Sequence, residues 1–333
     1  MEHPRVRRKT SQSNPTAGVY TELDDLIRLQ YKARSFSFLP RQPIHSVLAG
    51  RHASRLRGRG LNFEEIRHYQ QGDDLRAIDW KVTARTRKPH VRVFSEERDR
   101  SVMLLVDQRI SMFFGSSRSM KSVVAAELAA LIAWRVLSAG DRIGAIVFDD
   151  TEMRIIEPQR SRQQVMKILE SVVEKNHALK VGAGQKANPS MYNAVLRKTL
   201  QLAKHDFLVC SISDGFGADD ETVGLISLLR AHNDVLAAFI YDPLETELPD
   251  VGRLVLAEAE LQLEIDPSDQ RLRREFAREF EERLEWIRHI SSLRTIPVLP
   301  LDTNDEVPAQ LRSILGTGAQ GGSNPFGVEY APV

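Results

Sequence analysis

Val102-Met103-Leu104-Leu105-Val106-Asp107-Gln108-Arg109-Ile110-Ser111 is the stretch that decides the fold of this 333-residue chain. The continuous apolar run from Val102 to Val106 has the signature of a central parallel strand buried on both faces. It ends on a carboxylate, and a polar loop follows. In an open α/β sheet, ligands gather at the carboxyl ends of the strands, near the point where strand order reverses. Asp107 therefore marks an architecture and a candidate site together.

Toward the C-terminus the pattern alternates. A helix from about Met120 to Ser138 leads through Gly140-Asp141-Arg142 to a strand, Ile143 to Phe148. Met153 to Ile156 follows so closely that it should be an antiparallel edge strand. Ser161 can cap a helix running to about Val173, and a second helix spans Met191 to Lys204. Phe207 to Ile212 reads as the next strand and ends in Ser213-Asp214-Gly215. A helix (about Glu221 to His232), a strand (Val235 to Tyr241), a long helix (about Gln270 to Ser291) and a strand (Thr295 to Leu299) complete the set. This alternation predicts a doubly wound α/β fold with a mostly parallel, Rossmann-like sheet. Between Pro243 and Asp266 the rhythm breaks, and Leu254 to Ala257 with Leu261 to Ile265 reads as an inserted hairpin, a candidate recognition surface.

Toward the N-terminus the chain is less regular. Residues 1–18 read as a disordered tail, rich in Ser, Thr, Pro and Arg. Leu23, Leu26, Ile27, Leu29 and Tyr31 give the stretch to Arg34 the spacing of a short amphipathic helix. A Gly- and Arg-rich connector, Gly50 to Gly60, precedes compact elements at Phe63–Tyr69, Ile78–Ala84 and His90–Glu97. His90 to Ser95 alternates with period two, as a half-buried strand should. The expected organisation is a tail (1–18), an Arg/Asp/Trp-rich segment (19–100), a main domain (101–303, insert at about 243–266), and a short helix with a Gly-rich disordered tail (304–333).

Composition narrows the class. Apolar residues at 42% and charged residues at 27% are a globular balance, against wholesale disorder. The single Cys210 lies in an apolar run, cannot form an internal disulfide and fits a reducing compartment. No segment approaches the ~18 apolar residues of a membrane span. The longest candidate, Ala125 to Leu137, is interrupted by Glu127 and Arg135 and reads as a buried amphipathic helix. The basic, polar start lacks the apolar region of a secretory signal. The expected location is the cytoplasm.

Net charge is +1, but residues 1–100 hold 21 Lys and Arg against 12 Asp and Glu, and the rest holds 25 against 33. A basic N-terminal third on an acidic body suggests an acidic partner surface, nucleic acid included. The plainer alternative is that the two parts neutralise each other within one fold, which the scattering of the charges favours.

Three motifs bear on chemistry. An Asp-x-Ser-x-Ser loop with a distant Thr and Asp supplies the oxygen-only shell that Mg²⁺ prefers, with open positions for a partner's carboxylate. Here Asp107, Ser111 and Asp214 keep that pattern, but Arg109 replaces the middle Ser and Pro189, beside Ser190, replaces the Thr. A guanidinium cannot ligate a cation; it can pair with Asp107 or Asp214 and stand in for the metal. No cofactor is therefore expected, with Mg²⁺ the one metal the pattern would suit. The second motif, Gly115-Ser116-Ser117-Arg118-Ser119-Met120-Lys121-Ser122, resembles a phosphate-binding loop. Its second Gly is Met120 and it starts eight residues beyond Asp107, so Lys121 reads as a solvated first-turn residue. The third runs through Arg67, Tyr69, Asp73, Asp74, Arg76, Asp79, Trp80 and Arg85. Arg67, Arg76 and Arg85 could pair with the three aspartates over a Trp80 anchor. The set reads either as an internal clamp onto the main sheet, the favoured reading, or as an interaction hot spot. No His-Glu-x-x-His helix, Gly-x-Ser-x-Gly elbow or zinc spacing occurs in the sequence, so no catalytic residue is assigned and the chain reads as no enzyme.

Gly60-x-x-Phe63, Arg67-x-Tyr69, Gly72-Asp73-Asp74-x-Arg76-x-Ile78-Asp79-Trp80 and Ala84-Arg85 together resemble the bacterial domain of unknown function 58 family. Asp107 to Met112, Gly140 to Gly144, and Asp242-Pro243-x-Glu245-x-x-Leu248-Pro249 extend the resemblance over residues 45–303. It implies a von Willebrand factor A-like fold after a short N-terminal segment. It also implies partnership with a MoxR-type AAA+ ATPase in chaperone-like maturation or assembly of a client protein. Some relatives carry membrane spans that this sequence lacks. The expected function is a non-enzymatic, protein-binding adaptor using the face around Asp107, Ser111 and Asp214, the hairpin, or the basic N-terminal segment. The alternatives are a nucleic-acid-associated factor working through Arg51 to Arg59, then a Mg²⁺-dependent phosphoester hydrolase.

Overall fold

The computed structural model describes residues 18–33, 61–70, 75–96, 101–180, 186–246, 254–258, 261–265, 278, 280–288 and 296–316. The chain divides into two compact units, Gln42–Asp99 and the combination of Met1–Arg41 with Arg100–Val333.

In the larger unit, α1 (Leu23–Arg28) continues into a 3₁₀ turn, Leu29–Tyr31. Leu26 is fully buried in the main core, and its carbonyl accepts from Trp134 Nε1 at 3.0 Å. Thr21 N donates to Asn176 Oδ1 at 2.9 Å, and the Gly18 carbonyl accepts from Met120 N at 2.8 Å. The stretch after residue 18 thus packs against the helices Lys121–Ala139 and Arg162–Ala178 and groups with the larger unit. Tyr31 is 78% exposed rather than on the apolar face, because the 3₁₀ turn changes the helical phase. The calls on residues 1–17, on Gly50–Gly60 and on the tail beyond Gly316 lie outside the described residues.

The smaller unit contains β1 (Leu61–His68), α2 (Trp80–Thr86) and β2 (His90–Glu96), with β1 and β2 antiparallel and a bulge between Phe63 and Glu65. The period-two stretch from His90 is the strand its alternation predicts. Asp79 caps α2, its carboxylate accepting from Lys81 N and Val82 N.

The main sheet is built from β3 (Ser101–Asp107), β4 (Arg142–Phe148), β5 (Met153–Gln159), β6 (Phe207–Ser213), β7 (Asp234–Tyr241) and β10 (Val298–Asp302). Two further strands, β8 (Leu254–Glu258) and β9 (Leu261–Ile265), form the separate antiparallel hairpin expected from the insert. The sheet order is β10-β7-β6-β3-β4-β5, parallel except for edge strand β5. Numbered within this sheet it is the doubly wound order, whose reversal falls between β3 and β6. Both strands therefore deliver their C-terminal residues to one crevice.

Helices cover both faces: α3 (Lys121–Ala139), α4 (Arg162–Ala178), α5 (Ser190–Leu202), α6 (Asp220–Arg230), the single turn α7 (Pro243–Thr246), helical residues 280–288, and α8 (Val307–Gly316). Val102, Leu104 and Val106 pack into one core with α3 and α4, while Met103 and Leu105 pack into another with α5 and α6. That is the two-sided burial the opening run required. α3 is long and apolar enough to cross a membrane by composition alone, beyond what the sequence reading allowed, and 72% of its most apolar window is buried inside the unit.

Boundaries differ where tertiary partners decide them. α4 continues five residues past Val173 to Ala178, where Lys175 and Asn176 are themselves buried and bond to residues outside the helix. Lys175 Nζ donates to Asp149 and Glu152 at 2.7 and 3.0 Å. The last strand begins at Val298 rather than Thr295, in register with Ala237–Tyr241 of β7. Pro300 is tolerated there because β10 is an edge strand.

Candidate strand-end site

Asp107 closes β3 and is fully buried with Gln108 and Arg109. Arg109 Nε donates to Asp107 Oδ1 at 3.0 Å, and Nη2 donates to Oδ2 at 2.7 Å, a two-point clasp. The same carboxylate accepts from Arg109 N at 3.0 Å and from Ser213 Oγ at 2.7 Å. The rest of the guanidinium donates to the Phe216 carbonyl at 3.0 Å and the Asn188 carbonyl at 3.3 Å. Phe148, Tyr192 and Phe216 present rings 5.6, 5.7 and 5.7 Å from its centre. Burial works against this charge. Attraction from Asp107, then Asp214 and Asp150, outweighs it and holds the guanidinium pKa above its ordinary value.

Asp214, one residue beyond β6, does not pair with Arg109. Lys121 Nζ donates to Asp214 Oδ2 at 2.9 Å and to Glu245 Oε1 at 3.0 Å, and Arg283 Nη2 reaches that Glu245 oxygen at 3.1 Å. Lys121 is 2% exposed, so the expectation of a solvated first-turn residue is wrong. A buried ammonium needs such carboxylates to stay charged. Burial lowers the Lys121 pKa and Asp214 and Glu245 more than restore it, leaving it raised. Burial likewise raises the Asp214 pKa, and Lys121, Arg109 and Arg283 reverse that and hold it well below the usual carboxylate range.

The remaining donors of the pattern are displaced. Pro189 caps α5 and has no hydroxyl; a Cβ added at Gly217, where φ is +76°, would lie 2.5 Å from Pro189 Cβ. Ser111 sits in the 3₁₀ turn Ile110–Met112, and its Oγ is buried without a hydrogen bond. Asp150 braces the turn, accepting from Ile110 N at 2.7 Å and Asn188 N at 2.8 Å. Burial raises its pKa beyond what those bonds offset. An Mg²⁺ shell demands nearly complete octahedral oxygen geometry. Asp107 is committed to a guanidinium and Asp214 to an ammonium, so the residues present do not fit that ion, even with the Ser111 oxygen free. Among the described residues no group of three His, Cys, Asp or Glu is placed to hold a metal.

The loop resembling a phosphate cradle is also filled from within. Ser116 N donates to Asp242 Oδ2 at 2.7 Å, where a phosphate oxygen would have to sit. Asp242 also accepts from Thr303 Oγ1 at 2.5 Å and Leu244 N at 2.8 Å, tying three loops together. Cys210 is buried in β6, which pushes its thiol up to about 12 and leaves it unreactive at neutral pH.

The third motif is rearranged. Asp79 pairs with Arg92, which donates Nε to Oδ2 at 2.7 Å, rather than with Arg67, Arg76 or Arg85. That bond, first among the causes, lowers the Asp79 pKa. Trp80 is 69% exposed, so it is no buried anchor. Arg67 donates to the His68 carbonyl, Tyr69 N donates to the Pro89 carbonyl, and Arg85 is exposed on α2. Asp73 and Asp74 lie outside the described residues.

Strand order, the antiparallel third strand and an aspartate loop at the switch point define a doubly wound α/β domain of the von Willebrand factor A-like kind. The chain belongs to the family described as protein of unknown function DUF58, which matches residues 65–285. It is 32% identical over 269 residues to uncharacterized protein Mb1516 of Mycobacterium bovis, covering 80% of this chain and 81% of the relative. Uncharacterized protein Rv1480 of Mycobacterium tuberculosis gives the same figures, 32% over 269 residues, 80% and 81%. Among solved structures, BatB from Bacteroides thetaiotaomicron is similar at TM-score 0.38 and 13% identity, over 66% of this chain and 99% of that one. The SpRpn10 VWA domain is similar at TM-score 0.35 and 11% identity, over 70% and 100%.

Proposed function

We propose that this chain is a cytoplasmic, non-enzymatic protein-binding adaptor whose strand-end site runs on resident cations instead of a metal ion. The observation that carries the reading is the double pairing Arg109–Asp107 and Lys121–Asp214 at the switch point. The two carboxylates that would ligate a metal, or activate a water for phosphoester hydrolysis, are buried and already neutralised. Both are buried, so a partner on the face around Asp107, Ser111 and Asp214 would meet the loops over them rather than the carboxylates. In this reading they hold the loops around them in one shape, and recognition falls to exposed residues elsewhere. The partner class, a MoxR-type AAA+ ATPase acting on a client protein, rests on the family resemblance.

The test is affinity capture from native lysate, followed by ATP turnover of the purified ATPase with and without the chain. The adaptor reading expects an AAA+ ATPase in the captured fraction and a changed turnover. No ATPase captured and no change in turnover would remove it.

A further inference from the structure

We propose that the outward face of α2 is a docking surface for an acidic, partly apolar segment of a partner protein, with Trp80 as its anchor. The proposal rests on the protein-binding reading above and names where that binding falls.

Local geometry settles which face of α2 is free. Thr83 Oγ1 accepts from His90 N at 3.0 Å, and Thr86 Oγ1 lies 3.1 Å from His90 Nδ1, so that side is committed to β2. At about 100° of rotation per residue, Trp80, Lys81, Ala84 and Arg85 turn about 90° or more away from the midpoint of Thr83 and Thr86. All four are exposed, and Leu75, just before the helix, is 63% exposed.

Charge then selects the partner. Residues 75–92 hold six Lys and Arg and a single acid, Asp79. That acid is already used twice, as the cap of α2 and as the partner of Arg92. Among the described residues no carboxylate pairs with Lys81, Arg85, Arg87 or Lys88. A basic face carrying the exposed Trp80, with the exposed Leu75 in the turn just before the helix, suits an acidic segment that brings apolar side chains of its own. Trp and Arg dominate the energy of such contacts. A nucleic acid would be served by the charge and by stacking on the indole. It would leave the aliphatic Leu75 without a use, so the peptide is the better fit.

The experiment measures fluorescence anisotropy with the full chain and three labelled probes. These are an amphipathic Glu/Leu peptide, its Gln-for-Glu counterpart, and a single-stranded DNA oligomer of equal charge. The native chain should bind the Glu/Leu peptide, and Trp80→Ala should weaken it by about tenfold or more. The double variant Lys81→Glu with Arg85→Glu should weaken it comparably, and the Gln peptide should bind poorly. All these side chains are exposed, so the variants should keep the native melting temperature. No binding of the Glu/Leu peptide, or unchanged affinity in Trp80→Ala, overturns the proposal. So does tighter, Trp80-dependent binding of the DNA. Repeating the ATPase capture with the variants separates the two claims. Capture by the native chain that Trp80→Ala leaves intact removes this surface and keeps the adaptor; Trp80-dependent peptide binding without ATPase capture does the reverse.

Discussion

Arg109 is a cation with no exposed surface, held by a carboxylate that is equally buried. Removing one partner of such a pair strands the other charge, at about 3–5 kcal/mol. Arg109→Ala should therefore lower unfolding stability in urea by that amount, and a loss below about 1 kcal/mol would contradict the pairing. Lys121 gives a second, pH-resolved test. The lowered Asp214 pKa makes its contribution whole above the unfolded aspartate value of about 3.9, and lost as pH falls toward the folded value. The raised Lys121 pKa makes its contribution whole below the unfolded lysine value of about 10.4, and lost as pH rises through the folded one. Lys121→Met should thus be much less stable than the native chain at about pH 7, with the gap narrowing toward about pH 3. A gap that stays constant with pH would refute the assignment. Arg109 was legible because it interrupts a recognisable loop two residues after Asp107. Lys121 was not: its partners stand 93 and 124 residues away, and a first-turn lysine is ordinarily solvated. The one sequence clue was Glu245 in the Asp242-Pro243-x-Glu245 motif.

Elements were legible where their own sequence pays for them. β3 declares itself by five apolar residues in a row, and the hairpin β8–β9 by two short runs around a turn. The ends of α4 and β10 were not, because long-range partners set them: Asp149 and Gln108 for α4, the β7 register for β10. α4 offers an element-level prediction. Ser161 Oγ accepts from Gln164 N at 3.1 Å, and losing such a cap costs about 1 kcal/mol. Ser161→Ala should lower the thermal midpoint modestly in calorimetry, and no shift would mean the cap carries nothing. In α2 the same kind of cap, Asp79, is tied to Arg92 as well, so the charge that the sequence spreads over a clamp is spent within one small unit.

At the scale of the whole molecule, the sheet order brings Asp107 and Asp214 to one crevice although 107 residues separate them. The doubly wound, mostly parallel class was readable from the alternation of strands and helices, whereas the strand order comes from the structure; what occupies the crevice was only half readable. The basic N-terminal third and the acidic body do not map simply onto the two units either, since residues 18–33 pack on α3 and α4 of the larger unit. The central claim is that two resident cations take the place of a metal at the switch point. Differential scanning calorimetry of the intact chain, with EDTA and then with increasing Mg²⁺ or Mn²⁺, tests it most directly. Binding to the folded state alone would raise the midpoint with ligand concentration. The account predicts an unchanged midpoint for the native chain across the titration, and a saturable rise with either ion would contradict it.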